Sequence, residues 1–348
     1  MLAYHGVGAH EVEAMRRALA LAAAPGIRPG PNPRVGCVLL GAGGDVVAEG
    51  LHRGAGTPHA EVEALELAGH RARGSTAVVT LEPCDHTGRT GPCTEALLAA
   101  GVARVVFGQT DPHEVAAGGA ARLTAAGVDV EGGVLADEAH TLNLEWTAAV
   151  TLGRPHVTWK YAATLDGRSA ASDGSSRWVS GPESRRDAHE RRRRADAVVV
   201  GTGTVLVDDP RLTVRIDGAQ LPPDQQPVRV VVGERPLPAA ARVLDDSAPT
   251  VHLRTRDVDE VLTSLWGMGI RRVLLEGGPT LAGGFWRAGR VDRVVGYVAP
   301  ALLGDGPPAL AAAGITTVAD AVRLELVDVA RVGADVRLVA VPVTRRSP

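Results

Sequence analysis

The sequence predicts an α/β protein built from two domains. Three observations carry that expectation. A chain of 348 residues is longer than one ordinary core needs. Short apolar, β-branched runs alternate with helix-patterned stretches, twice over, which implies sheets covered by helices on both faces. Between the two series, TLGRPH at Thr151–His156 interrupts the alternation with Gly and Pro. The expected domains are therefore 1–150 and 151–348.

In the first series, EVEAMRRALALA sets Val12, Met15, Leu19 and Ala22 on one helical face. Val35–Leu40 and Val46–Gly50 read as strands, and His59–Ala68 as a helix following the turn GTP. Thr76–Leu81 is an apolar, β-branched run, hence a buried strand, and Thr94–Ala100 is a short helix ended by Gly101. Strand Arg104–Gly108, helix Ala120–Ala126, strand Val128–Glu131 and helix Leu135–Trp146 complete it. In the second series Val157–Ala162, Asp196–Val200, Val228–Val232, Thr250–Leu253, Arg272–Glu276 and Arg293–Ala299 read as strands. Pro182–Arg194, Val258–Met268 and Thr280–Ala288 read as helices, and RIDGAQLPPDQQP as a loop. The alternating end, LELVDVARVGADVRLVAVPV, suggests a closing hairpin around its Gly.

Composition narrows the function. Hydrophobic residues make up 45% and aromatic residues 3%, so Val, Leu and Ala must fill the cores. A net charge of -3 argues against nucleic-acid or membrane-surface partners, and no run is long and apolar enough to span a bilayer. RRALALAAAPG (Arg16–Gly26) resembles a twin-arginine signal, but Glu11 and Glu13 precede it and its apolar run is short, so the expectation is a first helix and a cytoplasmic protein. Three cysteines cannot form a full disulfide framework and suit metal ligation in a reducing compartment. Among 37 Lys plus Arg, Lys160 is the one lysine: either chance survival or a position that arginine cannot fill.

Two of the three cysteines sit in EPCDHTGRTGPC, Glu82–Cys93. His59 opens the helix before the strand that delivers Cys84, and Cys93 stands at the start of the next helix. One imidazole and two thiolates suit Zn²⁺ with an open fourth position, and helix N-termini stabilise thiolates. Glu61, two residues after His59, points to another side of the helix and can reach a water instead of the metal. Zinc lowers the pKa of bound water toward about 7, and a carboxylate beside it can carry that proton to a leaving amine. This is the chemistry of hydrolytic deamination of a heterocycle. The zinc-deaminase signature is H-x-E followed by P-C-x-x-C. Here Pro83–Cys84 is present, but eight residues separate the cysteines. A structural zinc completed by His86 is the competing reading, and Cys37, in an apolar strand, reads as a core residue.

PNPRVG (Pro31–Gly36), HAE (His59–Glu61) and EPCDHTGRTGPC together resemble the bifunctional riboflavin-biosynthesis deaminase/reductase family. The resemblance implies an N-terminal cytidine-deaminase-like α/β/α sandwich, zinc on His59, Cys84 and Cys93, and Glu61 as proton shuttle. It also implies that Asn32, His52, Arg89 and Asp111 line the pyrimidine and phosphate pocket. Arg89 stands where relatives usually carry Lys, and the family's DPNP is Asp111-Pro112-His113-Glu114 here. Read without the family, Asn32 and Asp111 are ordinary turn residues before proline.

The second half gives weaker signals of its own. GTGTVL lacks a third Gly and is followed by Asp208-Asp209-Pro210, so it fails as a dinucleotide fingerprint. EGGPTLAGG (Glu276–Gly284) places a Gly turn between a strand and a helix, where backbone N–H groups can hold a phosphate. With VTWKYAATLDGR and DAVVVGTGTVLVDDPRLTVR, it resembles the same family's C-terminal half, a dihydrofolate-reductase-like α/β domain. That resemblance implies NADPH held by Ala162, Trp178, Thr204, Asp208 and the turn Gly278, Pro279, Thr280, Leu281, Ala282, Gly283 and Gly284. It also implies a phosphorylated sugar held by Ser176, Arg192, Leu212, Arg215 and Glu276. Lys160 is the candidate for polarising the sugar oxygens and Glu276 for proton traffic. Read plainly, RRRR at 191–194 is a solvated helix face and Trp178 a core residue.

The expected protein is thus a zinc-dependent deaminase joined to an NADPH-dependent reductase, acting on a small phosphorylated pyrimidine as a homo-oligomer, dimer or tetramer. The competitors are a deaminase of another base or nucleotide with a nucleotide-binding C-terminal half, and a zinc-stabilised nucleotide sensor.

Overall fold

A computed structural model describes residues 6–27, 30–87, 91–113 and 116–343. The chain separates into two compact units, Met1–Gly153 and Arg154–Pro348. Arg89 and Glu114 lie outside the described residues.

The first unit runs α1 (Ala9–Ala22), β1 (Gly36–Leu40), β2 (Val46–Leu51), α2 (Ala60–Ala68), β3 (Thr76–Leu81), α3 (Cys93–Ala100), β4 (Arg104–Gln109), α4 (Gly119–Ala125), β5 (Asp129–Gly132) and α5 (Ala136–Leu152). Its strands form one sheet in the order β2-β1-β3-β4-β5. β1 is antiparallel to β2 and β3, whereas β3, β4 and β5 are parallel. Ala14, Met15 and Ala18 of α1 pack on Val38, Leu40, Val78 and Val106 of one sheet face. Ala60 and Ala64 of α2 and Leu97 of α3 pack on Cys37, Leu39, Val79 and Leu81 of the other. Burial on both faces explains why β1, β3 and β4 are rich in Val and Leu and do not alternate apolar with polar residues. The helices on the second face start near the ends of the strands that precede them, and those starts carry His59 and Cys93.

The second unit runs β6 (His156–Thr164), α6 (Pro182–Arg194), β7 (Ala197–Gly201), α7 (Thr202–Asp208), β8 (Arg215–Ile216), β9 (Ala219–Gln220), β10 (Val228–Val232), β11 (Thr250–Leu253), α8 (Val258–Gly267), β12 (Arg272–Leu275), α9 (Pro279–Arg287), β13 (Arg293–Ala299), β14 (Leu324–Val332) and β15 (Asp335–Pro342). Eight of its strands form one sheet, β11-β10-β7-β12-β6-β13-β15-β14. The first six are parallel, and the closing hairpin β14–β15 adds antiparallel to β13. Val261, Leu262 and Leu265 of α8 and Ala282 and Phe285 of α9 cover one face. Val205 and Leu212 help cover the other. Asp196 holds β12 in register: its carboxylate accepts from the Arg271 and Arg272 N–H groups and from the Arg272 guanidinium.

Two details differ from the sequence reading. GTGTVL does open a helix, α7, because Thr202 and Val205 are buried and override its poor start signals. RIDGAQ is a two-residue-strand hairpin, β8–β9, turned by Asp217 and Gly218 at positive φ. β14, on the sheet edge, leaves Leu324, Leu326, Val327 and Val329 exposed.

Candidate active sites

In the first unit three chain segments converge. His59 is the N-cap residue of α2, Cys84 follows β3, and Cys93 is the first residue of α3. Their ligand atoms all lie within 4.8 Å of one another. His59 Nδ1 is 3.1 Å from Cys93 Sγ and 3.6 Å from Cys84 Sγ. Donors around one tetrahedral zinc ion stand roughly 3.5–3.8 Å apart, so the set fits that ion. The Cys93 backbone N–H donates to Cys84 Sγ at 3.5 Å. Hydrogen bonding from Cys93, then from the His59 ring, pushes the Cys84 thiol down to about 4. The same bond, reinforced by burial, pushes Cys93 up. One sulfur is thus a ready thiolate. Among the described residues His86 does not join this ligand group, which weighs against a closed structural site completed by it.

Glu61 is 3% exposed and within hydrogen-bonding reach of Cys93. Burial raises its pKa. Cys37 packs in the core beneath, where burial and then the Glu61 charge raise its thiol pKa. His52 stacks edge-on to His59 at 5.1 Å between ring centroids. Its Nδ1–H donates to the Pro58 carbonyl at 3.0 Å, so Nε2 accepts from Asn32 Nδ2 at 2.9 Å. Burial lowers the His52 pKa, consistent with that neutral tautomer. Asn32 is fixed from behind by α5. Asn143 Oδ1 accepts from Arg34 N at 2.8 Å, Asn143 Nδ2 donates to Arg34 O at 2.9 Å, and Trp146 Nε1 donates to Pro31 O at 2.9 Å. Asp111 is buried, its pKa raised by that burial. Glu82 ties it in place, accepting from Asp111 N and, at the start of α4, from Ala120 N.

In the second unit a cavity of about 800 Å³ is lined by Lys160, Ala162, Ser176, Trp178, Arg192, Asp208, Leu212 and Arg215, together with His189 and further arginines. Arg192 grips Glu276 through two bonds, Nε to Oε1 at 2.5 Å and Nη2 to Oε2 at 2.9 Å, and Lys160 Nζ stands 3.7 Å from Glu276 Oε2. Burial alone would raise the Glu276 pKa, but Arg192 and then Lys160 outweigh it and hold the carboxyl at about 2. Burial lowers the Lys160 pKa. Ser176 Oγ donates to Asp208 Oδ1 at 3.3 Å. Leu212 has φ +54°, a strained turn that keeps its side chain in the core.

Thr204 and the turn Gly278–Gly284 do not line this cavity. Thr204 Oγ1 accepts from Gly278 N at 3.0 Å, which uses up the first donor of the Gly turn. Pro279 has no N–H, so the donors left at the start of α9 are those of Thr280 and Leu281, without a partner among the described residues.

Comparison with known proteins decides between the readings. Residues 9–109 match the cytidine and deoxycytidylate deaminase zinc-binding region, and residues 155–338 match the RibD C-terminal domain. The riboflavin biosynthesis protein RibD of Mycobacterium tuberculosis H37Rv is 50% identical, over 88% of this chain and 90% of that protein. The chain belongs to the RibD family.

Other family members agree across the whole length. RibD of Escherichia coli K12 is 39% identical, over 93% of this chain and 97% of its own. The solved RibD structure from Acinetobacter baumannii is 36% identical with a TM-score of 0.87, covering 96% and 99% of the two chains. A Thermotoga maritima structure, described as a diaminohydroxyphosphoribosylaminopyrimidine deaminase/5-amino-6-(5-phosphoribosylamino)uracil reductase, is 33% identical with a TM-score of 0.85 over 96% and 99%. The chain is accordingly a riboflavin-biosynthesis enzyme with a deaminase half and a reductase half.

Some expected site residues of the second unit also have a structural setting that the sequence does not show. Arg192 and Lys160 hold the Glu276 carboxyl low, an arrangement that favours an anchor for two cations over a proton carrier. Ala282 faces the core, and a Cβ on Gly283 would stand 1.8 Å from the Ala311 carbonyl, so packing constrains both residues. Sequence reasoning missed Asn143, Trp146 and Glu82, which position the deaminase residues, and His189 on the reductase cavity. The polar Asn143 on the buried side of a helix was the available signal for the first.

Proposed function

We propose that the first unit hydrolyses the 2-amino group of 2,5-diamino-6-(5-phosphoribosylamino)pyrimidin-4(3H)-one. The second unit then reduces the ribose with NADPH to give 5-amino-6-(5-phosphoribitylamino)uracil. One observation carries the reading: a His-Cys-Cys donor set of zinc-sized spacing with a buried carboxylic acid beside it.

His59, Cys84 and Cys93 would hold zinc, which when bound acidifies a water toward about pKa 7. Burial raises the Glu61 pKa, which suits a carboxyl that shuttles a proton to the leaving amine. The Asn32–His52 pair is a fixed neutral couple that frees the Asn32 carbonyl oxygen to orient the pyrimidine. Asp111 belongs to that pocket in this reading, and the charge of Arg89, outside the described residues, suits the substrate phosphate.

In the second unit NADPH supplies the hydride. Thr280 and Leu281 N–H groups suit its pyrophosphate, with Ala162, Trp178, Thr204, Asp208 and Gly278 around it. Arg192, Arg215 and Ser176 suit the phosphorylated sugar. Lys160, with its pKa lowered by burial, donates a proton or hydrogen bond to the sugar oxygen while Glu276 keeps it in place. A homo-oligomer in the cytoplasm is part of this reading: apolar β14 on the open sheet edge would be covered by a second copy. No helix among the described residues is long and apolar enough to cross a membrane.

The test supplies the diamino substrate with NADPH and follows ammonia, NADPH absorbance and product masses together. Glu61→Gln should stop ammonia release yet still oxidise NADPH when given the deaminated product. Lys160→Ala should leave ammonia release intact and slow reduction by about 100-fold or more. Reduction by Lys160→Ala near the wild-type rate, or ammonia release by Glu61→Gln at the wild-type rate, contradicts the assignment.

A further inference from the structure

His189 is a titratable side chain on the reductase cavity that the reaction above leaves without a task. It lies on α6 three residues before Arg192, so both project from one helix face. Both line the cavity with Lys160 and Arg215. Its Nδ1 accepts the Arg215 backbone N–H at 3.1 Å. An accepting nitrogen carries no proton, so the neutral ring holds its hydrogen on Nε2. That N–H has no protein partner among the described residues, and it is not buried away from the cavity.

The surroundings keep the ring neutral. Burial, then the Arg192 charge, pushes its pKa down to about 4, with Arg215 and Lys160 acting in the same direction and Glu276 opposing. Protonation would also break the bond from Arg215 N–H, since Nδ1 would then be a donor itself. His189 therefore brings an uncharged, directionally fixed donor to the cavity beside Lys160, Arg192 and Arg215. Charged groups suit the phosphate; an uncharged N–H suits an oxygen that carries no charge before reaction.

We propose that His189 Nε2–H donates a hydrogen bond to a ribosyl hydroxyl or ring oxygen of the reductase substrate and helps to orient C1′ for reduction. This rests on the proposed reductase reading. Two variants separate contact from scaffolding, because asparagine reproduces the Nδ1 end of histidine and glutamine the Nε2 end. His189→Asn can still accept from Arg215 N–H but loses the far donor. His189→Gln keeps the far donor and leaves Arg215 N–H unmatched.

The experiment measures NADPH oxidation against the deaminated phosphoribosyl product, with kcat and KM determined separately, in full-length wild type and both variants. His189→Asn is expected to lower kcat/KM by about 3–10-fold, mainly through KM, with unchanged thermal stability. His189→Gln is expected to lose less. Between about pH 5.5 and 8.5 no limb of the wild-type profile should disappear in His189→Asn, because a ring with a pKa near 4 does not titrate there. His189→Asn at the wild-type kcat/KM overturns the proposal, as does a pH limb that vanishes in that variant. If wild type itself fails to reduce the deaminated product, the reductase reading falls instead.

Discussion

Replacing Glu276 by Gln removes the one carboxylate that Arg192 and Lys160 share, and the consequence has a definite size and pH dependence. The carboxyl is held at about 2 against an ordinary 4.5. At 1.36 kcal/mol per pKa unit, that difference is worth about 3 kcal/mol of folding stability. Its side chain is 7% exposed, so solvent screening takes little from this figure. Because the folded pKa lies below the unfolded one, the unfolded chain takes up the proton first as pH falls. The contribution is complete above about pH 4.5 and is lost on the way down to about pH 2. At pH 7 Glu276→Gln also strands two cations in a largely closed pocket, a loss of about 3–5 kcal/mol for a broken buried pair. The assay is urea unfolding followed by tryptophan fluorescence; Trp159, Trp178, Trp266 and Trp286 of the five tryptophans report on the second unit. Wild type should be more stable than the variant at pH 7, and the gap should close as the pH approaches 2. A gap that is absent at neutral pH, or that stays constant down to about pH 3, would refute the reasoning. Glu276 also raises the Lys160 pKa, so any limb of the reductase profile lost on Lys160 deprotonation should move to lower pH in the variant.

Two further substitutions test how the deaminase site is positioned. A Cβ on Gly119 would stand 1.8 Å from the Pro83 carbonyl, so Gly119→Ala should displace Cys84, cost about 1–3 kcal/mol and lower both metal retention and ammonia release while reduction continues. Metal analysis with the two activity assays checks this. Asn143→Ala removes both hydrogen bonds that Asn143 makes to the Arg34 backbone, a loss of about 1–3 kcal/mol, and should raise KM for the diamino substrate roughly tenfold without affecting reduction. Steady-state kinetics of both half-reactions decide it.

Much of the architecture was legible because burial and pattern agree. Thr76–Leu81 reads as a buried strand and Arg104–Gly108 as a strand, and both are strands buried under helices on the two faces of that sheet. The zinc candidates were legible because His59, Cys84 and Cys93 each stand at an element boundary that local signals mark. What escaped depends on tertiary context. α7 forms because Thr202 and Val205 are buried, which no cap or periodicity announces in seven residues. The charge setting of Glu276 depends on Arg192, 84 residues away along the chain, which binds both of its oxygens. The burial of Ala282 and Gly283 depends on Ala311 and the α8 side chains, which the Gly-rich turn itself does not reveal. Arg89 and Glu114 lie outside the described residues.

The central claim is that His59, Cys84 and Cys93 hold one zinc ion with a coordination position left for water. The most direct measurement is the metal content of purified full-length protein, beside Cys84→Ser and Cys93→Ser. One zinc per chain in wild type, lost together with ammonia release in both variants while reduction of the deaminated product persists, is the expected result. Ammonia release at full rate from zinc-free wild type, or full zinc retained after either cysteine is replaced, would contradict it.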